Sequence, residues 1–442
     1  MLPAAGMRRL LAIGLVWLGC TFAWAILGST LGVRSGLASG GLLPEVHALW
    51  GPPLVQEPPR ASGVETHRAV ATEVKFDEER KRYYDVKHEV DVTTERDLPL
   101  ESTRAAVKLS LEQRRKGLLW FPTYAVDFRA DYAFRNDTAE KRSVQVIVPL
   151  GKQGVVYDGF TVSDEAGEAL PTTFGEGFVR IDRTLAPGQR LTLGVRYRAR
   201  GTGSWGYGVA GKGLGPEAGR ARDFTLEMET DFAEVDFPAG TLSPTGHGAE
   251  GGRWRGTWRF EQIVGSQPIG LELPQRLNPG PFAAQLTFFA PVSLLFFFFV
   301  TAILLAAAGR TLHPMHYFLV ACAFFAFHLL FAYLIDHLSL GVSFAIASAV
   351  SVTLVVSYAR LFVGPRLAIL HLGVPQLVFL VLFSWTFFWK GFTGLAITAG
   401  AVATLFVVMQ LTGRLDWNEA LGPRGRAPSQ LEPEPRAVPP GA

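Results

Sequence analysis

The chain has 442 residues, 48% of them apolar, with a formal charge of +3 and two cysteines. Residues 55–280 carry most of the charge, whereas residues 286–412 carry few charges and most of the phenylalanine and leucine. No dense run of lysine and arginine is present, which argues against a nucleic-acid partner. Both cysteines, Cys20 and Cys322, lie in apolar runs, so no disulfide is expected in the charged part. A large exported region without cysteine favours a bacterial envelope protein.

The first predicted element is an apolar run, residues 10–31, which follows the basic pair Arg8 and Arg9. At about 1.5 Å per helical residue, some 20 residues cover the roughly 30 Å hydrocarbon core of a bilayer. The run exceeds the apolar core of about 7–15 residues found in signal peptides. We therefore expect residues 1–9 in the cytoplasm and an uncleaved transmembrane helix over residues 10–31. A cleaved signal peptide is the alternative, and small residues such as Ala23 favour it.

Residues 32–285 are expected to form an extracytoplasmic domain rich in β-strands. Apolar side chains over residues 124–134 alternate with mostly polar ones, which predicts a half-buried antiparallel strand. Residues 191–197 repeat this pattern, and turns rich in glycine and proline favour one or two β-sandwich modules. Residues 72–97 are more charged and less regular, and no element is assigned to them. Further candidate strands are Ser143–Pro149, Phe178–Asp182, Phe224–Met228 and Trp254–Ile263.

Gly201–Gly206 matches the glycine spacing G-x-G-x-x-G after a predicted strand. A dinucleotide site would need a helix directly afterwards, because the helix N-terminus receives the pyrophosphate. Tyr207–Gly213, which follows, is rich in glycine and does not favour a helix. The segment is therefore predicted to be a flexible loop.

A bundle of five transmembrane helices is expected within residues 286–412. Its apolar runs have no polar stripe, as helices surrounded by lipid require. Residues 413–442 are rich in glycine and proline and are predicted to be a disordered cytoplasmic tail. The runs are Leu286–Ala308, His316–Ile335, Leu340–Tyr358, Leu367–Trp389 and Phe392–Leu411.

Charges beside the runs predict the orientation, because positive residues accumulate on the cytoplasmic side. With a cytoplasmic N-terminus, the inner ends carry the arginines, whereas the short outer loops carry Asp336, His337 and Lys390. Both termini are then cytoplasmic and residues 32–285 are periplasmic in a multi-pass protein of the bacterial inner membrane. The inner arginines are Arg8, Arg9, Arg310, Arg360, Arg366, Arg414, Arg424 and Arg426.

Two histidines at the start of one run are candidates for a metal site. His313 and His316 are three residues apart, so on a helix their imidazoles share a face. Pro314 has the position of a first-turn proline, and no third ligand is evident nearby. Interfacial histidines at the beginning of a helix are therefore the favoured interpretation, and no metal or cofactor is expected.

His328 is expected near the middle of the membrane, where an ionisable group is a functional candidate by default. Asp336 and His337, at the outer end of the same run, extend it into a possible proton path. The structural interpretation is a neutral His328 bonded to a neighbouring helix. Gln376 and Gln410 are among the few other polar groups inside the runs, and this scarcity counts against a solute transporter.

Several segments together resemble the CreD family of bacterial inner-membrane proteins. They are His313–Val320, Leu334–His337, Leu411–Trp417, Trp50–Leu54 and Arg115–Tyr124. The resemblance implies a role in cell-envelope integrity or stress tolerance and no known reaction. The candidate functional residues, from the resemblance and from membrane position, are His313, His316, Tyr317, His328, Asp336, His337, Arg414, Asp416 and Trp417.

The expected function is that of a CreD-like, non-enzymatic membrane protein. Its helices lie in the lipid bilayer, and its outer β domain binds an envelope partner such as another protein. The alternative is a small transporter or channel working through the helix bundle. An intramembrane enzyme is a more distant alternative, because no paired catalytic groups lie at one depth.

Overall fold

The computed structural model describes residues 4–77, 81–209, 220–389 and 391–413. The chain divides into a helical unit, Met1–Ala38 with Asn278–Ala442, and a β-rich unit, Ser39–Leu277. This arrangement confirms the prediction of apolar helices at the N-terminus and in a C-terminal cluster, with a large β-rich region between them.

The β-rich unit contains short and long strands, and the six strands predicted from residue pattern are all present. In chain order the described strands are β1 (Leu54–Gln56), β2 (Arg60–Asp77), β3 (Arg82–Leu98), β4 (Leu100–Lys116), β5 (Leu119–Arg135), β6 (Arg142–Pro149), β7 (Tyr157–Ser163), β8 (Thr173–Gly175), β9 (Phe178–Leu185), β10 (Arg190–Thr202), β11 (Ser204–Tyr207), β12 (Arg220–Thr230), β13 (Gly246–Glu250), β14 (Arg253–Val264) and β15 (Ile269–Glu272).

These strands form three sheets in the described part of the unit. The largest has the order β13-β14-β12-β4-β5-β10-β7, and the others are β3-β2-β6-β9-β8 and β1-β11-β15. In the seven-stranded sheet, β12 and β4 are parallel, whereas the other neighbours are antiparallel. Inward side chains of all three sheets belong to one hydrophobic core. The assignment to a β-sandwich stays a prediction.

Strand β5 shows why the alternating pattern is informative. Phe128 and Tyr132 are buried in the core, whereas Arg129 and Asp131 between them are exposed. Because successive side chains of a strand point to opposite faces, one face is apolar and the other is charged. The charged face of the seven-stranded sheet is therefore its solvent face.

Strands β2 and β3 contain residues 72–77 and 82–97, which belong to the segment without an element assigned from residue pattern. They pair antiparallel from Ala61 and Leu98 to Asp77 and Arg82. Only residues 60–64 of β2 also pair with β6. Beyond them the two strands form a hairpin arm, residues 65–77 and 82–95, whose pairing is limited to its own two strands within the described residues.

The glycine-rich segment Gly201–Gly206 is not a loop, so that prediction is wrong. Its first two residues end β10, and its last three belong to β11. A Cβ on Gly201 would collide with the Tyr124 ring, and Gly203 has a φ of +81° between the two strands. The glycines therefore allow close packing and a tight turn. Trp205, which lies between Gly203 and Gly206, is buried.

Within the described residues, six helices are long and apolar enough to cross a membrane. Helix α1 continues to Trp50, beyond the apolar run that ends at Leu31. The helices are α1 (Ala4–Trp50), α2 (Pro279–Ala307), α3 (Pro314–Leu334), α4 (Leu340–Val363), α5 (Pro365–Phe388) and α6 (Thr393–Thr412).

Helix α1 packs in the helical unit through a seam with alternating spacings of three and four residues. Trp24 and Leu31 on this seam are buried, and Ile13, Trp17, Cys20 and Leu27 are partly buried against the same core. This spacing keeps one side of a helix against its neighbours. The Trp17 indole also donates a hydrogen bond of 2.9 Å to the Pro291 carbonyl of α2.

Helix α5 is irregular around Pro375. Two π-helical stretches, Ala368–Gly373 and Leu377–Leu382, lie on either side of a short α-helical turn that contains this proline. Proline removes a backbone donor and crowds the preceding turn, which explains a local widening of the helix. The Ser293 hydroxyl of α2 donates to the Phe379 carbonyl in the second stretch.

Candidate functional sites

The motif His313–Tyr317 begins helix α3. His313 is the N-cap residue, and its Nδ1 accepts a hydrogen bond of 3.2 Å from the Met315 amide. Pro314 occupies the first helical turn, where its missing N–H costs nothing. Capping satisfies an amide that the helix itself leaves unpaired.

The other two motif residues contact neighbouring helices. His316 Nδ1 lies 2.8 Å from the Tyr358 hydroxyl of α4, and its ring stacks on Phe362 at 4.2 Å between centroids. Tyr317 is buried, and its ring meets Phe298 of α2 edge-on at 5.1 Å. The two histidines thus engage different partners. Among the described residues, no group of three or more His, Cys, Asp or Glu side chains could hold a metal ion.

His328 is buried in the helical unit, but its hydrogen bond differs from the expected one. Its Nδ1 lies 3.0 Å from the Phe324 carbonyl of its own helix, not from a neighbouring helix. The imidazole meets the Trp24 ring of α1 edge-on, with 5.7 Å between centroids. The His328 ring is therefore part of an aromatic contact between α1 and α3.

Asp336 pairs with a residue that the sequence did not suggest. Its carboxylate accepts a hydrogen bond from the Arg34 guanidinium at the seam of α1. Among the described residues, the side-chain partner of Asp336 is therefore Arg34 and not the adjacent His337.

Gln376 lies in a separate polar cluster between helices. Its Nε2 donates to the Ser351 hydroxyl at 2.9 Å, and that hydroxyl donates to the Ala323 carbonyl at 2.7 Å. Since the hydroxyl has a single proton, this pair of bonds fixes the amide orientation. Gln376 Oε1 is then buried without a partner. His328 belongs to a different contact and Gln410 is exposed, so the three polar groups occupy different surroundings.

Arg414, Asp416 and Trp417 lie outside the described residues, as does Lys390. The structure therefore brings Asp336 to Arg34 and His316 to Tyr358. Tyr317 and His328 have separate aromatic partners, and the His337 side chain is exposed.

The β-rich unit has a cleft that sequence reasoning missed. It lies on the solvent face of the seven-stranded sheet, has a volume of 660 Å³ and is lined by five adjacent strands, β14, β12, β4, β5 and β10. Its charged lining residues are Arg104, Arg129, Arg196, Arg259, Asp131, Asp223, Glu227 and Glu261.

Sheet register places small residues at the middle of this cleft. Thr225 of β12 stands between Arg259 of β14 and Arg104 of β4. On the next row, Ala106 of β4 stands between Glu227 of β12 and Arg129 of β5. The charged side chains therefore surround a floor of small side chains, which leaves the cleft open.

Three of the cleft's charges are held in ion pairs. Arg104 lies 3.6 Å from Asp223, and Arg129 lies 3.1 Å from Asp127 beside the cleft. Asp223 has a φ of +40°. At this residue the pairing between β12 and β14 is interrupted by one residue pair. Within the residues that the structure describes, no ion pair is formed by Arg196, Arg259, Asp131, Glu227 or Glu261.

The model of one family, described as Inner membrane protein CreD, matches residues 287–418. No curated protein matches the chain.

Solved structures give weak likenesses. One is a protein of Legionella pneumophila described as nutrient binding, at 8% identity and a TM-score of 0.30, covering 39% of this chain and 66% of that chain. Another is an M1 zinc metallopeptidase of Deinococcus radiodurans, at 13% identity and a TM-score of 0.24, covering 40% and 42%. The chain thus spans less than two thirds of either protein, and at these scores the likenesses carry no argument about activity.

Proposed function

We propose that the chain is a non-enzymatic protein of cell-envelope integrity, because the model of the CreD family of inner membrane proteins matches its residues 287–418. In this proposal the helical unit anchors the chain in the bilayer, with both termini in the cytoplasm. The β-rich unit lies in the periplasm and binds an envelope partner. Stress tolerance then depends on that binding.

The observation that supports binding is the charged cleft of the seven-stranded sheet. Its volume of 660 Å³ lies within the range of about 300–1,000 Å³ that ligand sites occupy. Arg196 and Arg259 are exposed and form no ion pair among the described residues. A ligand that binds them therefore breaks no ion pair within the protein. They are suited to recognition, and the fold does not need their charge.

The test is complementation of a strain that lacks this chain, under detergent or osmotic stress. The double variant Arg196→Glu/Arg259→Glu should fail to restore survival while its abundance in the membrane stays normal. Arg198→Glu is the matched control, because Arg198 is exposed on the same sheet and pairs with Asp158 at 2.6 Å outside the cleft. Full survival with the double variant, or equal loss with the control, contradicts the proposal.

A second candidate function, a small transporter or channel, is favoured by one feature of α5. Gln376 is fully buried with Oε1 unpartnered, and it lies between two π-helical stretches, which are frequent at functional sites. The variant Gln376→Leu separates the two candidates. A transporter loses function with it, whereas an anchored binding protein keeps function. Gln410→Leu, at an exposed position of α6, is the control.

A further inference from the structure

We propose that the cleft receives an extended polypeptide segment that carries both acidic and basic side chains. This inference rests on the proposed binding role of the β-rich unit and names the class of its partner.

The charges that line the cleft are balanced in sign. The lining contains four arginines and four acidic residues. A polyanion would meet four carboxylates, and a polycation would meet four guanidinium groups, so each would be repelled by half of the lining. A segment with both signs of charge can pair with both halves.

The charges without an ion pair are spread across the strands that line the cleft. Arg259 lies on β14 and Arg196 on β10, so three strands separate them in the sheet. Asp131 and Glu227 lie on strands between them. Strands are spaced about 4.8 Å apart, so the two arginines are separated by roughly 20 Å along the cleft. An extended chain of about six residues covers that length at about 3.3 Å per residue.

The floor of the cleft offers mostly small side chains. The cleft's uncharged lining consists of Ala105, Ala106, Thr225 and Phe260. This surface offers little apolar area to an acyl chain, which disfavours a lipid. Small side chains at Ala106 and Thr225 let a backbone approach the sheet, while flanking arginines offer planar forks that suit carboxylates.

The experiment uses the full chain in cells, with Thr225→p-benzoylphenylalanine as a photo-crosslinking probe at the floor. After irradiation, the purified adduct is mapped by mass spectrometry. The expected adduct is a polypeptide whose crosslinked stretch of about six residues carries both acidic and basic side chains. Ala249→p-benzoylphenylalanine, at an exposed position of β13 outside the cleft lining, is the control and should not give this adduct.

Charge reversals, made in the Thr225→p-benzoylphenylalanine variant, then test the basic and the acidic lining residues separately. Arg196→Glu/Arg259→Glu and Glu227→Lys/Glu261→Lys should each reduce the adduct about tenfold. Reversing the acidic residues of the mapped segment should restore the adduct with the first pair. The inference is overturned by a lipid or glycan adduct, by a segment of one charge sign, by no adduct, or by a carboxylate reversal that increases the yield.

These outcomes are separate from those that test the proposed function. If Arg196→Glu/Arg259→Glu abolishes survival under stress and the adduct is a glycan, the cleft still binds an envelope partner. In that case only the assignment of a polypeptide fails. If the reversals leave survival unchanged, the proposed function itself fails.

Discussion

Arg34 of helix α1 and Asp336, just after helix α3, form an ion pair between residues far apart in the chain. The Arg34 side chain is 47% exposed and that of Asp336 is 19% exposed, so the pair is partly solvated. Arg34 continues the seam of α1 three residues after Leu31, which brings it to α3. The pair therefore adds an ionic contact to the apolar seam along which the first helix packs against the C-terminal helices.

The first prediction concerns this pair. Asp336→Asn and Arg34→Gln should each lower the free energy of unfolding by about 1 kcal/mol or less, because exposed pairs are screened by solvent. A double-mutant cycle, measured by thermal unfolding in detergent, should give a coupling energy of about 0.5–1 kcal/mol. His337→Gln should not couple to Asp336→Asn. Coupling to His337 instead of Arg34 would contradict the assigned partner.

The second prediction concerns the packing of α1 on α2. A Cβ on Gly28 would lie 3.2 Å from the Phe288 ring, whereas a Cβ on Gly32, one turn later, would meet nothing within 4 Å. Gly28→Leu should therefore destabilise the helical unit by about 1–3 kcal/mol through overpacking. Gly32→Leu is the matched control and should change stability by about 0.5 kcal/mol or less. Similar melting shifts for both variants would argue against this contact.

The third prediction concerns alkaline pH and the tyrosines of the β-rich core. The Tyr132 and Tyr207 hydroxyls lie 3.1 Å apart, and Tyr124 donates to the Ser204 carbonyl at 2.9 Å. Burial raises the pKa of all three hydroxyls above the ordinary value of 10.0. Because the folded-state pKa is raised, their contribution to stability is complete below about pH 10 and is lost as pH rises through the folded-state values.

Titration of the full chain should therefore show these tyrosines ionising together with unfolding of the β-rich unit. Tyrosinate absorbance and circular dichroism, recorded in parallel above about pH 10, provide the measurement. Tyr132→Phe/Tyr207→Phe should remove part of the absorbance change and flatten the loss of stability with pH. Ionisation of Tyr132 and Tyr207 well before any loss of β-structure would contradict their burial.

The fourth prediction concerns the hairpin arm. An isolated two-stranded hairpin is marginally stable in water, and Val70, Val74 and Phe76 of the arm are exposed. Hydrogen exchange of the full chain should give faster exchange in residues 65–77 and 82–95 than in β4 and β5, which lie inside a sheet. Equal protection in both would mean that the arm is covered by another surface.

Residue pattern predicts a structural element where the burial of a side chain follows from its neighbours in the chain. The alternation in β5 predicted a strand, and hydropathy located the apolar helices. The cleft was not predicted, because Thr225 meets Arg104 only through the pairing of β12 with β4, which no local pattern specifies. The partner of Asp336 was missed for the same reason, although the spacing of three and four residues from Ile13 to Leu31 continues to Arg34 and is a usable signal.

The parallel pairing of β12 with β4 also has a consequence for the order of assembly. Phe224 faces Thr103 across this pair, so more than a hundred residues must be made before the two strands can meet. Contacts of such long sequence separation form slowly, and unpaired strand edges are open to wrong pairing until they form. The antiparallel pair β4–β5 can form earlier. The edge of β4 that later pairs with β12 stays unpaired until then. The cleft is lined by strands on both sides of the β12–β4 pair, so it forms only after the sheet is complete.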